Sequence, residues 1–256
     1  MRQDVDNMTF TSDSVPALRR AVAEFAGTGL LVTVVVGSGI AAQTLSPDNT
    51  GLQLLENSIA TALGLAVLIL AFGPVSGAHF NPVVSAVDAI LGRRRGTGLQ
   101  LGEVGVYVVA QVAGAIGGAI LANAMFEIPA RIATTERATA GHLLGEVVAT
   151  AGLVFLIFAF ARTGRGPLAA AAVGAYIGAA YWFTSSTSFA NPAVTIGRIF
   201  SDTFAGIAPT SALPFIGAQV FGAALGAILV VYLYPSVGHA AGDVSVHSAS
   251  SFRSIG

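Results

Sequence analysis

Two Asn-Pro pairs, Asn81-Pro82 and Asn191-Pro192, and two glutamates, Glu24 and Glu146, stand inside segments otherwise almost free of charge. Their chemistry is that of hydrogen bonds. An amide both donates and accepts, and an ionised carboxylate accepts several donors at once. Proline has no backbone N–H and breaks a helix from within, yet it suits the first helical position, and asparagine is a preferred N-cap. Each Asn-Pro therefore reads as a helix start. No nucleophile–base constellation, phosphate-binding loop or metal cluster accompanies these residues. Cysteine is absent, which excludes disulfides and thiolate sites. No catalytic residue, metal or cofactor is expected.

The elements that must position them are membrane helices. The chain has 256 residues, 54% hydrophobic and only 10% charged, with a mean hydropathy of +0.76, whereas a soluble domain carries about 25% charged residues. The net charge of −1 gives no electrostatic case for a nucleic-acid partner. A spanning helix needs about 20 apolar residues. Phe25 to Pro47, Val104 to Phe126, Gly141 to Ala161 and Leu213 to Tyr234 each fit one span. Asn57 to Val87 and Gly166 to Gly197 are too long for one span and too short for two, and each surplus carries an Asn-Pro. Irregular backbone at membrane depth survives only when buried in protein or lining a wet cavity. The surpluses therefore read as re-entrant loops ending in half-helices, residues 81–91 and 191–200.

The halves repeat. AEFAGTGLLV (Ala23 to Val32) resembles GEVVATAGLV (Gly145 to Val154), aligning Glu24 with Glu146, and the two Asn-Pro motifs follow in matching order. Three spans per half invert the second copy. The expected architecture is all-α, with six transmembrane helices, two half-helices and an inverted 3+3 repeat. Its parts are a polar tail (1–16), a first repeat (17–125), a linker (126–140), a second repeat (141–235) and a C-terminal tail (236–256). With the N-terminus cytoplasmic, nine arginines fall inside and three, Arg131, Arg137 and Arg198, outside, which follows the positive-inside tendency. That places both termini in the cytoplasm and the linker outside. Pairs of glycines at 114/118, 174/178 and 222/226 allow helices to cross closely.

Residues Ala23-Glu24-Phe25, SGAHFNPVV (Ser76 to Val84), Glu146 and NPAV (Asn191 to Val194) resemble the aquaporin and aquaglyceroporin family, over roughly Ala17 to Pro235. The resemblance implies a homotetrameric, passive channel in the inner (plasma) membrane for water and small uncharged solutes. The two half-helices would meet at the midplane, with Asn81, Pro82, Val83, Asn191, Pro192 and Ala193 at the pore midpoint. Each helix N-terminus carries an effective charge of about +0.5, so the pair disfavours cations. Glu24 and Glu146 would hold the loop backbones. The alternative is a proton-coupled carrier using these carboxylates. His79 matches the family and reads as loop scaffold or pore lining, and His142 and His239 as loop or tail residues.

The filter departs from the family. Val194 stands where arginine is usual, and spacing carries the other filter positions to Thr61, Ala179 and Ser188. Such a constriction has no aromatic ring, histidine or arginine, and predicts passage of glycerol-sized solutes. Similar substitutions occur in bacterial relatives associated with arsenic resistance, which extends the candidates to arsenite or methylated arsenicals; a water-selective channel is the other alternative. Arg198, one turn beyond Val194, reads either as a vestibule charge or as the partner of Asp202. Asp88 is expected to pair with Arg93 to Arg95. Val83 reads either as packing or as a reshaped midpoint.

Overall fold

The computed structural model describes residues 15–93 and 97–235. Six of its helices are long and apolar enough to cross a membrane, among the described residues. In the first half these are α1 (Ala17–Leu45), α2 (Thr50–Ser76) and α4 (Leu101–Met125), with the short α3 (Pro82–Gly92) between the last two. The second half has α5 (Ala140–Arg162), α6 (Ala169–Phe183, led in by a 3₁₀ turn at Gly166–Leu168), α7 (Pro192–Gly197, continued as 3₁₀ through Phe200) and α8 (Pro209–Leu233). Of the tails expected at 1–16 and 236–256, residues 1–14 and all of the second, with His239, lie outside the described residues.

Local chemistry sets the ends of these helices. Asn49 caps α2 by accepting Leu52 N–H at 2.9 Å. Gly77, in the left-handed region at φ 86°, closes α2 by donating its N–H to Gly73 O, a conformation that glycine adopts without a Cβ penalty. Gln100 and Glu103 form a capping box at the start of α4, and Thr139 caps α5 by accepting His142 N–H at 3.2 Å. His142 also sets its Nδ1 2.7 Å from Arg137 O.

The halves pack alike. α1 lies against α4 as α5 lies against α8, and α2 meets α6 across the junction of the halves. Glycine makes the close crossings possible. At Gly222 of α8 an added Cβ would fall 2.5 Å from Val147 O of α5, and at Gly174 of α6 one would fall 2.5 Å from Ala62 O of α2. The outward faces are apolar: Leu63 and Val67 on α2, Val109 on α4 and Ile228 on α8 are exposed, the arrangement a lipid-facing surface requires. The segment after α4, residues 126–139, runs back across one end of the bundle. There Thr135 O accepts Ala208 N–H and Ile199 O accepts Ala133 N–H, both at 2.8 Å.

Candidate functional site

The site is built on Asn81 and Asn191. Each is an extended N-cap, and its Oδ1 accepts the N–H groups that open its half-helix: Val83 at 3.1 Å in α3, and Ala193 and Val194 at 2.9 and 3.2 Å in α7. Pro82 and Pro192 occupy the first helical turn, where no N–H is missed. The two caps also tie the halves together. Asn81 Nδ2 donates to Ala190 O at 2.8 Å and Asn191 Nδ2 donates to Phe80 O at 2.7 Å. One N–H of each amide is bound in this way; the other has no protein partner among the described residues.

The backbone leading into each cap is strained in a matched pattern. Ala78 and Phe80 in one half, and Ser188 and Ala190 in the other, hold φ between 48° and 52°, although none is glycine. Such conformations cost of order 1–3 kcal/mol each and persist only when the surroundings over-determine them. Glu24 and Glu146 provide much of that constraint. Glu24 accepts His79 N–H at 3.0 Å and Phe80 N–H at 2.7 Å. Glu146 accepts Phe189 N–H and Ala190 N–H at 2.8 Å each. Both carboxylates are fully buried, and neither lines the cavity between the halves.

Two further residues of this scaffold are not among those singled out from the sequence. Gln111 of α4 donates to Glu24 at 2.8 Å and to Ser85 Oγ at 3.0 Å. Gln219 of α8 donates to Glu146 at 2.7 Å and to Thr195 Oγ at 2.8 Å. Each is an isolated glutamine in the middle of an apolar span, which is the signal that could have found it. His79 places Nδ1 3.1 Å from Ser85 Oγ and packs edge-on against Tyr107, and its residue borders the cavity. Among the described residues no cluster of His, Asp and Glu could hold a metal.

A cavity runs between the halves past both asparagines. Its walls are largely apolar, with Leu31, Leu65, Leu153 and Ile177 among them. At one end lie His79 and Ala169; towards the other lie Thr61, Ser188, Val194 and Arg198. Ala179 is not part of it. Ala179 is exposed, while Ile177 and Tyr181 of the same helix line the cavity. Two residues along a helix turn the side chain by about 200°, so a spacing carried over two positions out of phase faces outward. In place of Ala179 the cavity wall carries an aromatic ring: Tyr181 places its hydroxyl 3.1 Å from Thr61 Oγ1.

The cavity lining includes an arginine as well. Arg198 lies 3.4 Å from the centroid of Phe189 and donates from Nε to Ala205 O. Asp202 does not hold it: that carboxylate accepts Thr134 N–H and Thr134 Oγ1–H at 2.9 and 3.0 Å. Val83 packs with Val87, Phe158 and Ala223 in an apolar cluster and does not line the cavity. Asp88 accepts Leu99 N–H at 2.8 Å. Arg93 is exposed, and Arg94 and Arg95 lie outside the described residues.

Two inverted halves, each offering a capped half-helix to a shared cavity, are the frame on which comparison with known proteins turns. The profile described as major intrinsic protein matches residues 11–188. The chain belongs to that family. It is 48% identical over 216 residues, 84% of this chain and 90% of the relative, to aquaglyceroporin AqpS of Rhizobium meliloti (strain 1021). It is 32% identical to aquaporin NIP2-3 of Zea mays over 92% of this chain and 76% of that one. The fold matches the X-ray structure of the aquaglyceroporin from Plasmodium falciparum with a TM-score of 0.64, at 18% identity, covering 87% of this chain and 99% of the other. The protein is thus a multi-pass membrane channel of the family for water and small solutes, and not an enzyme.

Within this channel, α3 and α7 point their N-termini at each other across the asparagine pair. Their aligned peptide dipoles bring partial positive charge, about +0.5 at a helix N-terminus, to the asparagine pair. The free amide N–H groups suit an uncharged oxygen there.

Proposed function

We propose that the channel conducts water and neutral hydroxylated solutes of about glycerol size down their gradients, and that compact neutral triols such as arsenite, with its methylated relatives, fall within its range. The observation that carries this reading is the lining of the cavity, largely apolar with the hydroxyl-bearing residues Thr61, Tyr181 and Ser188 among it. Ser188 is buried and is one of the lining residues. Thr61 and Tyr181 add two further hydroxyls on the facing walls, and Val194 contributes a short apolar side chain where a longer one would narrow the passage. The 48% identical relative bears the name aquaglyceroporin, which agrees with a solute wider than water.

In this reading Asn81, Asn191 and their prolines form the pore midpoint, Thr61, Ser188 and Val194 with Tyr181 the selectivity filter, and Glu24, Glu146 and His79 the loop scaffold. The carboxylates are already occupied by backbone and glutamine donors and stand away from the cavity, which favours a passive route over proton coupling. The arginine distribution supports cytoplasmic termini in the cell inner membrane, with the filter towards the outside. The channel assembles as a homotetramer, which cross-linking or native mass spectrometry of the purified protein would test. Glycerol entry into proteoliposomes tests the conduction itself: faster entry than into empty vesicles supports the proposal, and equal entry sinks it.

A further inference from the structure

We propose that this channel divides between two residues the tasks of setting the width and the charge of its mouth. Val194 leaves the passage wide, and Arg198, one turn further along, supplies the positive charge from the wall. The inference rests on the conduction proposed above.

Both residues line the cavity, and i and i+4 side chains share a helix face. Arg198 is only 3% exposed, yet its two Nη groups have no hydrogen-bond partner among the described residues. No carboxylate lies within ion-pair distance of it there. Its position is fixed on two sides: Nε donates to Ala205 O, and the guanidinium sits against the Phe189 ring, 3.4 Å from the centroid. Phe189 is itself wedged edge-on against Phe215 at 5.2 Å, and its own N–H is bound to Glu146. The guanidinium carries its charge at neutral pH. A second cation, Arg137, lies 5.5 Å from the same ring and is tied down through Nε to Gly206 O at 2.7 Å.

A buried, uncompensated cation beside a cavity repels other cations, and a cation anchored to the wall does so without filling the lumen. An arginine at position 194 would provide charge and obstruction together. Here the two are separate, so the mouth can admit a wide neutral solute and still refuse a cation. Phe189 becomes a positioning residue, and Arg198 the residue that discriminates by charge.

The test compares wild type, Arg198→Met and Arg198→Lys in proteoliposomes, measuring potassium flux and glycerol flux in each. Methionine keeps the length and the packing on Phe189 but removes the charge. Arg198→Met should raise the ratio of potassium to glycerol flux about tenfold, the order expected of one unit charge acting over roughly 10 Å at an effective dielectric near 20. Arg198→Lys should hold the wild-type ratio. An unchanged ratio in Arg198→Met, or an equal rise in both variants, would overturn the inference. If Arg198→Met does not fold, Phe189→Leu takes its place: unseating the guanidinium should raise the ratio, and an unchanged ratio there counts equally against the proposal. A wild type that conducts no glycerol would instead refute the conduction reading, before any variant is compared.

Discussion

Asn81 and Asn191 each donate a side-chain N–H to the carbonyl just before the other, Asn81 to Ala190 O at 2.8 Å and Asn191 to Phe80 O at 2.7 Å. The pair therefore does three things at once. It caps two half-helices, locks two inverted halves together and leaves one amide N–H of each residue towards the cavity.

Asn191→Asp separates these functions. The carboxylate keeps the acceptor for Ala193 and Val194 but loses the donor to Phe80 O, and places negative charge where two positive helix ends, each about +0.5, meet. Proton and potassium leak through proteoliposomes should rise relative to water flux. A leak equal to wild type would show that the half-helix ends do not form the central cation barrier.

Val194→Arg adds bulk and charge beside Arg198. Glycerol flux should fall more than water flux, because the larger solute meets the narrower passage first. Stopped-flow light scattering measures both. An equal reduction of the two, or none, would count against Val194 as a filter residue.

Gln219→Leu leaves Glu146 and Thr195 each short of a buried donor. Leaving buried partners unsatisfied costs about 1–3 kcal/mol, so the melting temperature in detergent should drop. The Phe189 and Ala190 amides held by Glu146 should exchange faster in the same variant. Wild-type melting with wild-type exchange would remove Gln219 from the scaffold.

Gly222→Ala pushes a Cβ to 2.5 Å from Val147 O. Overpacking of this kind costs about 1–3 kcal/mol, and backbone offers little room to yield. Thermal unfolding followed by tryptophan fluorescence or light scattering should shift downward, whereas Gly217→Ala, where the Cβ meets open space, should not.

Glu136 lies in the segment between the halves and accepts Thr210 Oγ1–H at 2.5 Å and Ser211 Oγ–H at 2.7 Å. These bonds hold its carboxyl below the ordinary glutamate value. A lowered folded value means the contribution to stability is complete above the unfolded value of about 4.3 and is lost as pH falls through the folded one. Glu136→Gln should therefore flatten the acid limb of a melting-temperature–pH profile. An identical acid limb in the variant would show that the contact carries no pH dependence.

Much of this architecture is legible in the sequence because its strongest signals are local. Asn-Pro specifies a cap and a first helical position within two residues, and an over-long apolar run has few ways to use its surplus. A buried glutamate in a span must find donors, and the re-entrant backbone is the nearest supply. What escapes is whatever depends on rotation between helices. Ala179 and Tyr181 differ by two residues, yet one faces outward and the other lines the cavity, a distinction set by helical phase against a neighbour. Gln111 and Gln219 escape for a related reason: a lone glutamine in an apolar span has no sequence partner, and the carboxylate it serves is on another helix. Arg198 could be placed near the mouth from its spacing, but its seat on Phe189 depends on a positive-φ loop that no local pattern announces.

The most direct test of the account is a shrink–reswell trace of proteoliposomes mixed with hyperosmotic glycerol. The channel predicts fast water efflux, then reswelling faster than in empty vesicles, unaffected by a protonophore. Reswelling no faster than in empty vesicles, or glycerol accumulation that a protonophore abolishes, would contradict a passive channel for glycerol-sized neutral solutes.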